Sequence, residues 1–133
     1  MTGFRTYPGE KIIYQDGGVA TFELSVNPVY GEGILTNRRF VHKLSPVFNP
    51  QAYFVTPSGV DLEIQLHEIQ AFDVEDDTFI IQTENIKQIK IKFKDAQDWL
   101  LAWQKGLTEL HGNPPQEVST GTWQVVRRSG DDK

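Results

Sequence analysis

The sequence has no cysteine, no long apolar run and no excess of basic residues. Without cysteine the chain cannot form disulfides, bind zinc or an iron–sulfur cluster through thiolates, or use a thiol nucleophile. No 18 apolar residues run together, so no membrane-spanning helix is expected. The N-terminus also lacks the apolar run of a signal peptide, and we expect a cytoplasmic protein, soluble or peripherally attached to a membrane.

Basic residues are in the minority, with 13 Lys and Arg against 18 Asp and Glu and a net charge of −5. Affinity for nucleic acid comes mainly from contacts of Lys and Arg with phosphates, so no nucleic-acid partner is predicted. Apolar residues are not scarce: 38% of the 133 residues are hydrophobic. That is enough for one domain with a real core, and it argues against a disordered chain.

Patterns that carry catalysis or bind metal are also missing. The histidines His42, His67 and His111 are scattered and match no zinc-binding spacing. The acidic run at 73–77 lacks the ligand spacing and central glycine of a calcium loop, and we interpret it as a hairpin turn. No nucleophile elbow, phosphate loop or dinucleotide loop occurs. We therefore predict a protein that is not an enzyme, with no catalytic residues, no metal and no cofactor.

Short segments that alternate between apolar and polar residues are the main feature that is present. Residues 60–66 alternate without error, which predicts a half-buried strand of an antiparallel sheet. Asp16-Gly17-Gly18 predicts a tight turn at the end of the first strand. About seven strands at this spacing predict a sandwich or barrel. The other predicted strands cover residues 11–14, 19–26, 30–36, 39–44, 69–74, 78–83 and 88–94.

An amphipathic helix is predicted over residues 96–111, after the strands. Asp95 is the expected N-cap, and Gly112 before two prolines is the expected stop. The predicted organisation is a domain over 1–111 and a tail over 112–133. The tail has strand-like content with Trp123 and Val125 on one side, and we expect it to dock on an edge of its own sheet or on a neighbouring chain. The apolar stripe of the helix comprises Ala96, Trp99, Leu100, Trp103, Leu107 and Leu110.

The stretch Gly33-Ile34-Leu35-Thr36-Asn37-Arg38-Arg39-Phe40-Val41 resembles the signature strand–turn–strand of GRAM domains and related bacterial PH-like domains. The resemblance covers roughly residues 9–110, including an Ile64–Ile69 step and a Phe93–Trp99 pair. It implies a mainly β fold, a seven-stranded antiparallel PH-like barrel or sandwich that the C-terminal helix caps. Such domains often bind phosphoinositides or other anionic lipids, or act as protein-docking modules.

Two basic groups and an aromatic loop are the candidate binding residues. Lipid-binding members place several cations around the first hairpin loop, whereas here only Lys11 lies near it, which argues against specific phosphoinositide binding. Arg39 is predicted to be structural, holding the signature turn through carbonyl oxygens. Lys90, Lys92 and Lys94 share one face of the strand predicted over 88–94 and form a lysine stripe. This stripe either meets anionic headgroups or is a solvated sheet edge. The candidates for binding lipid or a partner are Arg38, Lys43, Phe48, Tyr53, Phe54, Lys90, Lys92 and Lys94.

The loop over residues 45–59 leaves two functions open. Its three aromatics and three prolines form a hydrophobic prong if exposed, or a rigid insert if buried. The first hypothesis is a docking module for a protein partner or for self-assembly, acting through an edge strand, this loop or the tail. The second is peripheral membrane binding, with the basic residues on anionic lipid headgroups and the aromatics inserted.

Overall fold

The structure is a computed structural model that describes residues 6–21, 29–44, 60–84 and 88–126. Strands make up most of these residues, and one α-helix follows the seventh strand. A 3-10 turn at Leu66–Glu68 separates the fourth and fifth strands. The elements are β1 (Ile12–Thr21), β2 (Val29–Thr36), β3 (Arg39–Leu44), β4 (Val60–Gln65), β5 (Ile69–Glu75), β6 (Thr78–Thr83), β7 (Ile89–Phe93), α1 (Ala96–His111), β8 (Gln116–Ser119) and β9 (Thr122–Gln124).

The nine strands form one antiparallel sheet in the order β4-β3-β2-β1-β7-β6-β5-β9-β8. Within the described ranges no pairing joins β4 to β8, so the sheet is an open sandwich and not a closed barrel. β1 pairs with β2 along its length but with β7 only through Val19–Thr21. The mainly β fold with one C-terminal helix is thus confirmed. The tail adds β8 and β9 to the seven strands that precede the helix.

The turn predicted at Asp16-Gly17-Gly18 is wrong. Both flanks of this triplet pair with β2, so the chain continues as a single strand. The register shifts between Asp16 and Val19, where Gly18 has φ +68°. A glycine with positive φ is equally suited to a turn and to a β-bulge, and the pairing of its flanks decides between the two.

The core lies between the sheet and α1. Trp99, Trp103 and Leu107 are buried, which confirms the predicted apolar stripe. The ring of Trp99 stacks on Phe93 with centroids 4.7 Å apart, and Trp103 lies 5.4 Å from Phe40. Burying each such side chain contributes about 1.5–3 kcal/mol, so these contacts fix the helix on the sheet.

α1 begins and ends at the predicted residues, but its N-cap residue lacks a side-chain hydrogen bond. Gly112 adopts φ +80° and donates its N–H to the carbonyl oxygen of Thr108 at 2.7 Å, which ends the helix. Asp95 occupies the predicted N-cap position and its carbonyl oxygen accepts the N–H of Trp99 at 3.1 Å, but its side chain makes no capping hydrogen bond. Asp95 has ψ 68°, outside the extended region usual for an N-cap.

The contact between β2 and α1 gives a stability test. A Cβ at Gly33 would lie 2.8 Å from Cη2 of Trp99 and 3.1 Å from Cε1 of Phe40. We expect Gly33→Ala to lower the free energy of unfolding by about 1–3 kcal/mol, measured by urea titration, because the packed rings cannot yield. Gly17→Ala is the control, since no atom lies within 4 Å of its added Cβ. Equal stability of the two variants would contradict this packing.

Candidate functional site

A buried ion pair holds the turn between β2 and β3. Nε of Arg39 lies 2.9 Å from Oε2 of Glu10, and Nη2 donates to Oε1 at 3.3 Å. The hydroxyl of Thr36 donates to the same carboxylate at 2.6 Å. The side chain of Glu10 is 0% exposed and that of Arg39 is 8% exposed. Arg39 also binds Glu63 at 3.3 Å. These carboxylates are partners that the prediction for Arg39, which invoked carbonyl oxygens, did not include.

Hydrogen bonds hold the backbone of the turn in place, and the Arg38 side chain is exposed. Oδ1 of Asn37 accepts the N–H of Lys11 at 2.9 Å, and the carbonyl oxygen of Arg38 accepts the N–H of Leu66 at 2.9 Å. Arg38 therefore projects from a fixed backbone. It lines an open cleft of about 440 Å³ together with Asn37, Gln65, His67, Glu109 and Leu110.

The ion pair shifts the pKa of both partners. Burial by itself acts to raise the pKa of Glu10, but the hydrogen bonds from Arg39, Thr36 and the Tyr7 N–H outweigh it, and the pKa lies below its ordinary value. The pKa of Arg39 is raised: burial opposes the charge, but Glu10 stabilises it more strongly. Removing one partner of such a buried pair typically costs about 3–5 kcal/mol, because the other charge is left without compensation.

Lys90 and Lys92 of the lysine stripe lie on β7 and Lys94 directly follows it, but carboxylates lie close to Lys92 and Lys94. Lys90, Lys92 and Lys94 are exposed and alternate with buried residues. Nζ of Lys92 lies 3.8 Å from Oδ2 of Asp77. Lys94 shares a cleft of about 300 Å³ with the carboxylates of Asp76, Asp95 and Asp98. The surface therefore has mixed charge and is not a continuous basic patch.

The other predicted basic residues do not join this stripe. Arg38 and Lys43 are five residues apart at opposite ends of β3, a separation of about 16 Å along a strand. Lys43 is half-buried and opposes Glu32 of β2, and β3 is three strands away from β7.

The aromatic candidates Phe48, Tyr53 and Phe54 fall outside the described residues. The question of whether loop 45–59 is exposed falls outside them as well.

The tail forms a hairpin that extends the sheet beyond β5. Phe72 of β5 pairs with Trp123 of β9, and their rings stack with centroids 6.1 Å apart and planes 4° apart. Val125 packs against the core and donates its N–H to the carbonyl oxygen of Gln70. Both candidate interface residues of the tail thus contact their own chain.

The outer strand of the hairpin, β8, is the most accessible backbone edge of this part of the sheet. All four of its residues are exposed, including 52% of Val118. Among the described residues no strand pairs with its outer side. β8 was not predicted because a strand that is exposed on both faces needs no alternation of apolar and polar residues. The available signal in the sequence was the glycine at position 121, which adopts φ +80° in the turn of the hairpin.

Comparison with solved structures identifies the fold. The Vps36 N-terminal PH domain matches with a TM-score of 0.57 at 16% identity, over 80% of this chain and 83% of that chain. The DH/PH domains of p115-RhoGEF match with a TM-score of 0.52 at 8% identity, over 73% of this chain and 30% of that chain. The chain has a PH-like fold. At these identities the likeness shows the fold alone, and it does not single out the GRAM group.

No family model and no curated protein matches this chain by sequence. In the described ranges, no helix of the PH-like fold has the length and apolar character required to span a bilayer.

The buried ion pair predicts a specific dependence of stability on pH. Because folding lowers the pKa of Glu10, the ion pair stabilises fully above 4.5, the ordinary value for Glu, and less as pH falls through the folded value. We expect the free energy of unfolding to fall less steeply with acid in Glu10→Gln than in the unchanged chain. Urea titrations followed by tryptophan fluorescence between about pH 3.5 and 7 measure both slopes.

A surface carboxylate supplies the control for this measurement. Glu109 binds Lys11 at 3.1 Å, but the Lys11 side chain is 63% exposed, and such pairs contribute little. Glu109→Gln should therefore keep the slope of the unchanged chain. Identical slopes for all three proteins would show that the Glu10 carboxylate is not held in the way described.

Proposed function

We propose that this PH-like chain is a docking module, without catalytic activity, that binds an extended segment of a partner protein along β8. The exposed edge of β8 is the observation that carries the proposal. An unpaired edge offers a row of N–H and C=O groups that can pair with another strand. The non-enzymatic part rests on the absence of catalytic patterns from the sequence.

The hairpin is suited to present this edge because the core anchors it. β9 pairs with β5 through three residues, and the half-buried Trp123 stacks on Phe72 of the core. Two hydrogen bonds of Gly121 fix the loop of the hairpin as well. Its N–H donates to Oε2 of Glu117 at 2.9 Å, and the carbonyl oxygen of Gly121 accepts the N–H of Val74 at 2.7 Å. A partner strand would therefore meet an ordered template, which reduces the entropy cost of binding.

Membrane binding is the alternative, and the charges on β7 support it less. Anionic headgroups favour clusters of uncompensated cations, each worth about 1 kcal/mol near a charged surface. Here Lys92 is close to Asp77, and Lys94 lies beside three carboxylates. Arg38 lies just before the start of β3, three strands away from β7, so it does not form one basic patch with these lysines.

A peptide-display experiment tests docking at β8. Peptides selected from a random library of extended twelve-residue sequences should shift the backbone amide NMR signals of Gln116–Ser119. Val118→Pro should weaken their binding at least about tenfold, because proline removes a donor and obstructs strand pairing. Val118 stands at a register shift between Glu117 and Ser119, a position where an edge strand tolerates proline.

Leu101→Lys is the matched control, because Leu101 is 64% exposed on α1 and lies outside the sheet. Unchanged amide signals of Trp123 would show that Val118→Pro keeps the hairpin in place. Selected peptides that shift signals elsewhere and bind the proline variant normally would refute docking at this edge.

Liposome flotation distinguishes the membrane alternative. We expect little binding to vesicles of phosphatidylserine and phosphatidylcholine at physiological salt, because Lys92 and Lys94 lie close to carboxylates. Asp77→Asn frees Lys92 from its partner and should increase any binding, whereas Lys92→Glu should abolish it. Strong binding of the unchanged chain to anionic vesicles only, lost in Lys90→Glu, would favour membrane attachment over protein docking.

A further inference from the structure

Acidic residues are concentrated in the part of the sheet that ends at β8. Residues 66–84 and 112–126, which form β5, β6, β8, β9 and their turns, contain seven of the 18 acidic residues and none of the 13 Lys and Arg. The rest of the chain carries the remaining 11 acidic residues and all 13 basic residues. The net negative charge therefore comes from these segments, which hold Glu68, Asp73, Glu75, Asp76, Asp77, Glu84 and Glu117.

One of these carboxylates is on the edge strand itself. Glu117 is exposed on β8, and the N–H of Gly121 holds its Oε2 at 2.9 Å. That hydrogen bond uses one lone pair and leaves the carboxylate able to accept from a cation beside the strand. Glu117 is therefore placed to pair with a lysine or arginine of an added strand.

The other carboxylates act over a longer distance. Neighbouring strands are about 4.8 Å apart, so Asp73 and Glu75 on β5 lie about 14 Å from a strand added beyond β8. Charges at that distance are largely screened at physiological salt, where the Debye length is about 8 Å, but not at about 10 mM, where it is about 30 Å. Counted across the sheet from β8, the nearest strand that carries lysines is β7, four strands away.

A second copy of this chain is a poor occupant of the same edge. Antiparallel pairing of β8 with itself would bring two Glu117 carboxylates close together. The opposite edge of the sheet, β4, presents Glu63, which is already bound to Arg39. Each copy also carries a net charge of −5, which opposes association.

We propose that the segment bound at β8 is basic, and that lysine or arginine side chains of the partner pair with Glu117 while the carboxylates of β5 and of the turn between β5 and β6 attract it from a distance. This inference rests on the docking function proposed above. Arg127 and Arg128 follow in the sequence outside the described residues, and they are counted with the rest of the chain.

Two labelled peptides test the charge of the segment. Both are ten residues long with alternating threonine and valine, and three positions are lysine in one and glutamine in the other. By stopped-flow anisotropy, the lysine peptide should associate about tenfold faster than the glutamine peptide at low salt, because the acidic surface steers it. This ratio should shrink towards one at about 150 mM salt.

Glu117→Gln isolates the contact at the edge. Glutamine keeps an oxygen that accepts the Gly121 N–H, so the hairpin is preserved while the charge is lost. We expect this variant to bind the lysine peptide about threefold more weakly, with no change for the glutamine peptide. Glu109→Gln is the control: it removes the same charge from α1 and should change neither affinity.

The outcomes separate this inference from the docking function. If both peptides shift the amide signals of β8 and bind equally at low salt, docking stands and the basic partner is refuted. The same conclusion follows if neither peptide binds but a neutral display-selected peptide does. If no peptide of any kind affects β8, the docking function fails and this inference fails with it. A dimer of the chain alone that Val118→Pro abolishes would show that β8 takes a second copy.

Discussion

The buried ion pair between Glu10 and Arg39 is the interaction on which the arrangement of the first four strands depends. A buried charge must be compensated, and here one carboxylate receives the guanidinium, the Thr36 hydroxyl and the Tyr7 N–H. The segment before β1, the turn into β3 and, through Glu63, the strand β4 are thereby fixed relative to one another. The two consecutive arginines of the turn consequently differ in role, since Arg39 is buried and Arg38 faces solvent.

The aromatic core fixes further elements, from α1 at the centre of the sandwich to the hairpin of the tail. Trp99 packs against Gly33 and Phe93, and Trp103 lies near Phe40 and Phe72. Phe72 in turn stacks on Trp123, so the hairpin is a continuation of the core and its outer strand is held in place. A chain reversal at Gly112 is what brings the hairpin back to β5, because it ends α1 sharply.

The elements that could be predicted from the sequence are those with a local signal. The helix over 96–111 and the strand over Val60–Gln65 show their period within a few residues, so their positions agree with expectation. The continuity of β1 depends on pairs with β2 between residues 8 to 24 positions apart, and Arg39 contacts Glu10 from 29 positions away. No local pattern reveals such contacts. The edge strand β8 was not predicted for a second reason: burial imposes no pattern on a strand with two exposed faces.

The form of β8 is suited to weak and selective docking. Native proteins protect an exposed edge by keeping it short, charged or bulged, and β8 has four residues, a glutamate and a register shift. So short an edge offers only a few backbone hydrogen bonds, each worth about 0.5–1.5 kcal/mol net. Backbone pairing alone therefore gives low affinity and no selectivity. In the proposed docking, the selection comes from the carboxylates of this part of the sheet, because they favour encounter with basic segments and discourage pairing with a second acidic copy.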